Sequence, residues 1–269
     1  MRDKPVGSLL SLEGKVAIVT GSGQGMGRGI ATMLARAGVC PVIVDLIAER
    51  AKAVAKEVEA LGVRSLALHA DVRKPAEVQR LVDATVQKFG RLDIGVSNVG
   101  GLGGQKMSTV LDSDESFWDG VVELNLRATY LCDRAFAKAM IAAGNGGAIV
   151  NIASISGLRA SVRLSPYGAA KAGVMHLTQT LAMELAAHRI RVNCIAPASV
   201  ETPDTFEHQP PEQRAAAAKH IPIGRLGRPE DIGGVVLMLV SPLTAYVTGQ
   251  TLLADGGLSC TTARPSSSG

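Results

Sequence analysis

Aromatic side chains are scarce in this chain: three tyrosines, four phenylalanines and one tryptophan make up 3% of its 269 residues. Little is therefore present to stack on nucleobases, and although the net charge is +4, the basic residues are dispersed. A solvated basic surface is the expectation, not a nucleic-acid partner. Long apolar runs are also missing: the longest, "VVLMLV" at 235–240, is far short of the roughly 18 residues that a membrane span needs. The N-terminus, "MRDKPVGSLLSLEGK", has no continuous apolar core of the signal-peptide kind. A cytoplasmic protein with no membrane partner is expected. Cysteine is sparse and scattered, at Cys40, Cys132, Cys194 and Cys260, with no C-x-x-C pair, and the five histidines form no ligand spacing. Reduced thiols and no metal follow. No internal repeat or linker-like composition shift divides the chain, and low complexity is confined to "TTARPSSSG" at 261–269, read as a disordered tail or an expression remnant.

What is present is a pattern. With 46% hydrophobic and 19% charged residues, the chain can bury a large core. Short apolar runs at 15–20, 41–46, 64–72, 92–100, 147–154, 191–197 and 250–257 read as buried strands. Helical spacing appears between them, for example at Val78, Leu81, Val82, Val86 and Phe89, and at Val174, Leu177, Leu181 and Leu185. This alternation predicts an α/β fold: one doubly wound, Rossmann-like domain over 1–269, its core at about 12–258, with a parallel seven-stranded sheet covered by helices on both faces. Such sheets bind ligands beyond the carboxyl ends of their strands.

The first strand ends in "TGSGQGMGRGIA" at 20–31. Gly21, Gly25 and Gly27 fall where the chain turns and a helix starts, so side chains there would obstruct both the turn and a nearby pyrophosphate. Gln24 and Met26 complete this expected cofactor loop, which carries no basic residue among them to hold an extra phosphate. Asp45 ends the second strand. Its carboxylate can accept hydrogen bonds from an adenosine ribose and would repel a 2′-phosphate, which favours NAD over NADP; the alternative is that it caps the following helix.

"TGSGQGMG" matches the T-G-x-x-x-G-x-G pattern of the short-chain dehydrogenase/reductase family, and the chain resembles its single-domain branch in order from about 12 to 258. The resemblance implies that Asp71 and Val72 hold the adenine, and that "SNVG" at 97–100 stands for the family's N-N-A-G, with Asn98 and Gly100 kept. It also implies nicotinamide contacts from Pro197, Val200 and Thr202 in "IAPASVETP", where Ala198 replaces a glycine.

Against the scarcity of tyrosine, the placement of Tyr167 in "LSPYGAAKAG" (164–173) is informative, because Lys171 follows four residues later. On a helix the two share a face. A free phenol, with a pKa of about 10, is a poor base at neutral pH, and a neighbouring ammonium stabilises its phenolate. Alone, the pair also fits a half-buried tyrosine beside a snorkelling lysine. The family template adds Ser154, thirteen residues before the tyrosine, and Asn125 in "VVELNLRATY", said by the resemblance to hold a water that links the lysine to solvent.

The resemblance thus implies an NAD-dependent alcohol dehydrogenase or ketone reductase for a small-molecule substrate, 3-oxoacyl thioesters included, working as a homotetramer or homodimer. Enoyl reduction fits less well, since relatives of that kind space tyrosine and lysine more widely. A non-catalytic dinucleotide-binding sensor or scaffold is the alternative of another class. The segment 204–227 is expected to form a substrate lid with a short helix, and 101–109 another wall. Arg159 and Arg163 flank the serine and tyrosine; loop arginines facing water are expected, contact with an anionic substrate being the other possibility.

Overall fold

Near-continuous apolar runs become strands buried on both faces because helices cover each side of the sheet. In the computed structural model, which describes residues 6–10 and 12–260, the strands are β1 (Val16–Thr20), β2 (Cys40–Asp45), β3 (Leu66–His69), β4 (Ile94–Ser97), β5 (Gly147–Ile152), β6 (Ile190–Pro197) and β7 (Thr251–Ala254). They form one parallel sheet in the order β3-β2-β1-β4-β5-β6-β7. The tail at 261–269 lies outside the described residues. No described helix is long and apolar enough to cross a membrane.

Period-two alternation sorts the core. Ala17 and Val19 of β1 pack with Ile30 and Leu34 of α1 (Gly25–Arg36), Val54 and Val58 of α2 (Ala48–Glu59), and Ile232 and Val236 of the helix Pro229–Val240. Val16 and Ile18 face the other layer, with Leu81 of α3 (Pro75–Phe89), Phe136 of α5 (Ala128–Ala143) and Leu185 of α6 (Ser165–Leu185). Between α3 and α5 comes α4 (Glu115–Val122), whose N-cap Asp114 accepts from the Phe117 amide at 2.9 Å.

The third strand is shorter than its predicted span of 64–72. It stops at His69 because the chain turns at Asp71: the Lys74 amide donates to Asp71 O, and the Glu77 carboxylate takes the Asp71 amide at 2.8 Å. Asp71 and Val72 therefore lie beyond the strand. In the predicted lid segment, α7 (Pro203–His208) and α8 (Pro211–Lys219) replace the one short helix expected, each started by a proline, whose missing N–H costs nothing in a first turn.

The last helix, α9 (Pro229–Val240), crosses α1 with backbones in contact. A Cβ on Gly29 would sit 2.4 Å from Pro229 Cβ, and one on Gly233 would sit 2.9 Å from Gly29 O. Because β1 pairs with both β2 and β4, the strand order reverses beside β1. All strands being parallel, the glycine loop, Asn98, Ser154 and Ala198 come out at one edge of the sheet, with the first two beside the switch point between β1 and β4.

Candidate active site

The glycine loop is built as an anion cradle. Gly21 and Gly25 have φ of 62° and 55°, values that favour glycine. Gln24 is the N-cap of α1 but makes no side-chain cap bond, and the first turn holds no acid. Uncapped N–H groups at a helix start suit a phosphate. Met26 is half-buried against the core, and Gly27 packs so tightly that a Cβ would lie 2.2 Å from Gly21 O. Asn98 braces the loop from the next strand, its Nδ2 donating to Thr20 O at 2.9 Å and Gly21 O at 3.1 Å. Thr20 Oγ1 in turn accepts from the Asn98 amide at 3.0 Å. Thr202 closes the loop from the far side: its Cγ2 lies 3.3 Å from where a Gly25 Cβ would stand.

Asp45 is 7% exposed. Its Oδ2 accepts from the Gly23 amide at 3.0 Å and its Oδ1 from the Ile47 amide at 2.9 Å. The N-cap of α2 is Ile47, so Asp45 is not the cap that one reading of the sequence assigned; it ties the glycine loop to the start of α2. Asp71 is paired by Arg73, Nε to Oδ1 at 2.9 Å and Nη2 to Oδ2 at 2.8 Å, and that hydrogen-bonded guanidinium holds its carboxyl below the usual range. Val72 is buried beside it.

On α6, Lys171 is 2% exposed and its Nζ donates to Ile152 O at 2.8 Å. The same ammonium stands 5.6 Å from the centre of the Tyr167 ring. Burial pulls the lysine down to about 8, opposed by the nearby Cys194 thiol. Ser154 leaves β5 with its Oγ accepting from the Ser156 amide at 3.1 Å. The turn after it lies directly on α6, since a Cβ on Gly157 would meet Lys171 C at 2.7 Å. The turn that follows Ser154 thus packs on the helix that carries Tyr167 and Lys171. No sequence spacing shows that the Ile152 carbonyl anchors the lysine.

Asn125 is fully buried in a π-turn, Glu123–Arg127. The cause is local. Asn125 Nδ2 donates to Val121 O at 2.8 Å, occupying the acceptor its own amide would use, and the Ala128 amide bonds Glu123 O instead. Nδ2 also donates to Gly101 O at 2.7 Å while Oδ1 accepts from the Gly101 amide at 3.0 Å. A Cβ on Gly100 would lie 2.7 Å from both Asn125 Oδ1 and Lys171 Nζ, so glycine there lets asparagine and lysine converge.

Pro197 ends β6, Val200 is buried in a bridge to Gly227, and Ala198 continues toward β7 with its amide on Ala254 O at 3.3 Å. The Ala198 substitution introduces no left-handed residue: among the described residues, the non-glycine positions of positive φ are Arg163 and Arg189. Arg163 does more than face water, because its Nη2 donates to Met107 O at 3.0 Å. A cavity of about 360 Å³ between Ala198, Ile221, Ile232 and Gly256 is lined by none of the serine, tyrosine or lysine.

Beneath the site, Asp133 of α5 is wholly buried, and burial pushes its carboxyl up to about 7 against the hydrogen bond from Ser97 Oγ at 2.7 Å. Between its ordinary value and about 7 the folded chain holds a proton that the unfolded chain releases, so stability is lost as pH rises through that window. Asp133→Asn, which does not titrate, is expected to gain on the wild type in urea unfolding between pH 5 and pH 8, by up to about 1.4 kcal/mol per pH unit below 7. A gap independent of pH would show that the carboxyl is charged throughout.

The model of a family described as enoyl-(acyl carrier protein) reductase matches residues 21–259. The chain is 42% identical to the 2-dehydro-3-deoxy-D-gluconate 5-dehydrogenase of Escherichia coli K12, over 93% of this chain and 97% of that one. Among solved structures it resembles a short-chain type dehydrogenase/reductase from Mycobacterium marinum, with a TM-score of 0.90, 33% identity, and coverage of 96% of this chain and 100% of that one. It also resembles a 7α-hydroxysteroid dehydrogenase complexed with NADH and 7-oxo glycochenodeoxycholic acid, with a TM-score of 0.89, 33% identity, and coverage of 94% and 98%. The parallel seven-stranded fold agrees with these likenesses, and the chain belongs to the short-chain dehydrogenase/reductase family, enzymes that use a nicotinamide dinucleotide to interconvert CH–OH groups and ketones.

Proposed function

We propose that the chain interconverts a secondary alcohol and its ketone, with Tyr167 exchanging the hydroxyl proton. The observation that carries this reading is the buried Lys171 ammonium, fixed by Ile152 O and 5.6 Å from the tyrosine ring. With a pKa of about 8 it is cationic at neutral pH, and a cation at that distance favours the phenolate. Ser154 holds the substrate oxygen and polarises it. Asn125 positions the segment at Gly101 and, through Gly100, stands beside the lysine. When bound, the nicotinamide accepts or supplies the hydride. Gly21, Gln24, Gly25, Met26 and Gly27 would seat its pyrophosphate, Asn98 would hold that loop in shape, and Pro197, Val200 and Thr202 would flank the nicotinamide.

NAD is favoured over NADP. Asp45 keeps unused lone pairs on both oxygens, and a carboxylate at that strand end accepts ribose hydroxyls and repels a 2′-phosphate. Asp71 and Val72 would line the adenine pocket, the former with its charge already met by Arg73. The segment 204–227 would act as the lid. Enoyl reduction, named in the description of the family model, is disfavoured by the four-residue tyrosine–lysine spacing. Association into a homodimer or homotetramer is supported by apolar side chains exposed near the last strand and α6, namely Tyr246, Met183 and Leu253.

The test is a panel of sugar acids, hydroxysteroids and cyclic alcohols with their ketones, offered with NAD and with NADP and followed by reduced-nicotinamide absorbance. Turnover of at least one pair, with a preference for NAD of about tenfold or more, is the expected outcome. Tight dinucleotide binding with no turnover of any pair would favour the sensor or scaffold instead.

A further inference from the structure

Arg163 holds a backbone conformation in which a side chain is costly. Its φ of 65° lies in the left-handed region, where glycine is the ordinary occupant. Arg189, which shares that region, closes a helix end, a position where left-handed residues are common. Arg163 closes no helix; it lies between the turn after Ser154 and the start of α6. It is the third residue of a turn closed by the Leu164 amide on Ser161 O at 3.2 Å, where glycine or asparagine is the usual occupant.

Two bonds join it to the loop that follows β4. Arg163 Nη2 donates to Met107 O at 3.0 Å, and the Ser108 amide donates to Arg163 O at 3.1 Å. The other end of that loop is fixed as well, by the pair of bonds between Gly101 and the Asn125 side chain. Residues 101–108 are therefore strung between Asn125 and a point four residues before Tyr167. The stretch between the anchors contains Gly103 and Gly104, both of positive φ, and the exposed Gln105, Lys106 and Met107. It has little packing of its own to hold it.

We propose that Arg163 is a positioning residue for substrate, its latch on Met107 and Ser108 holding 101–108 as a fixed wall beside Tyr167. The inference rests on the reading of Tyr167 as the proton-exchanging group. A wall held at both ends is already ordered when substrate arrives; released at residue 163, it must be ordered by each substrate molecule, and binding is weakened. The latch bonds touch none of the glycine-loop residues that would seat the pyrophosphate, so dinucleotide affinity is expected not to depend on them.

Two variants separate the latch from a structural role. Arg163→Gly removes the guanidinium and relaxes the backbone, so its thermal midpoint is expected to equal or exceed the wild type's. Its KM for the best alcohol of the panel is expected to rise about tenfold, kcat to fall by a smaller factor, and the NAD dissociation constant to stay within about twofold. Arg163→Lys retains a donor for Met107 O and is expected to recover part of the KM. Amide hydrogen exchange on the NAD-bound protein is expected to quicken about tenfold at Ser108 in Arg163→Gly. An unchanged KM overturns the proposal even where exchange quickens, and unchanged exchange overturns it even where no alcohol is turned over. The exchange measurement therefore tests the latch independently of the dehydrogenase reading.

Discussion

Tyr167→Phe is expected to lower kcat by about a thousandfold or more while the dissociation constant for NAD stays within about threefold, because general acid–base exchange contributes on that scale. The substitution deletes one oxygen and keeps the ring. The Lys171 ammonium retains its bond to Ile152 O and its place over the ring, and the Gly157 contact that presses the Ser154 turn onto α6 does not involve the hydroxyl. The loss therefore reports the proton exchange and not a collapsed site. Stopped-flow turnover with calorimetric binding of NAD measures both quantities. Turnover within tenfold of the wild type would transfer the acid–base role to another group.

A second large effect is expected where the backbone leaves no room. Gly27→Ala places a Cβ 2.2 Å from Gly21 O and 2.7 Å from both Asn98 Nδ2 and Ser22 Cα. Two of those three neighbours are main-chain atoms of the loop itself, so they can yield only by moving the loop. The dinucleotide should then lose about a hundredfold or more in affinity, and the fold about 1–3 kcal/mol by overpacking. Gly234→Ala is the matched control. It lies in α9 with nothing within 4 Å of the added carbon, and alanine in a helix interior should be neutral or gain up to about 1 kcal/mol. Calorimetric titration and urea unfolding of the two variants check the contrast. Unimpaired NAD binding by Gly27→Ala would mean that the loop does not seat the pyrophosphate.

Much of this site was legible in the sequence because the relevant spacings are local. Tyr167 and Lys171 are one helical turn apart, and the glycine loop is contiguous between a strand and a helix, so neither needed tertiary information. The apolar runs of β1, β2, β4, β5 and β6 read as strands for the related reason that they are buried nearly throughout, and the edge strands β3 and β7, only partly buried, still keep enough apolar residues to be read. The misreadings arose where distant partners decide the outcome. The third strand ends early because Glu77, from the following helix, captures the Asp71 amide. Arg163 is exposed, as expected, but that its guanidinium also bonds Met107, 56 positions away, no spacing shows. Nor does any helical spacing mark the buried carboxyl of Asp133, whose partner Ser97 is on another element. The proline-started helices of the lid segment show the same limit on a smaller scale, since two turns of polar sequence fit a loop equally well until their ends are placed.

The central claim is that one groove at the reversal of strand order brings a nicotinamide to a tyrosine whose phenolate is favoured by a buried lysine. A crystal structure of the complex with NADH tests it most directly. The expected result has the pyrophosphate on the amides from Gly21 to Gly27, the adenosine ribose on Asp45, and the reactive carbon of the nicotinamide facing the Tyr167 hydroxyl, with Lys171 beneath. A dinucleotide bound elsewhere, or seated in the groove with its nicotinamide turned away from Tyr167, would contradict it.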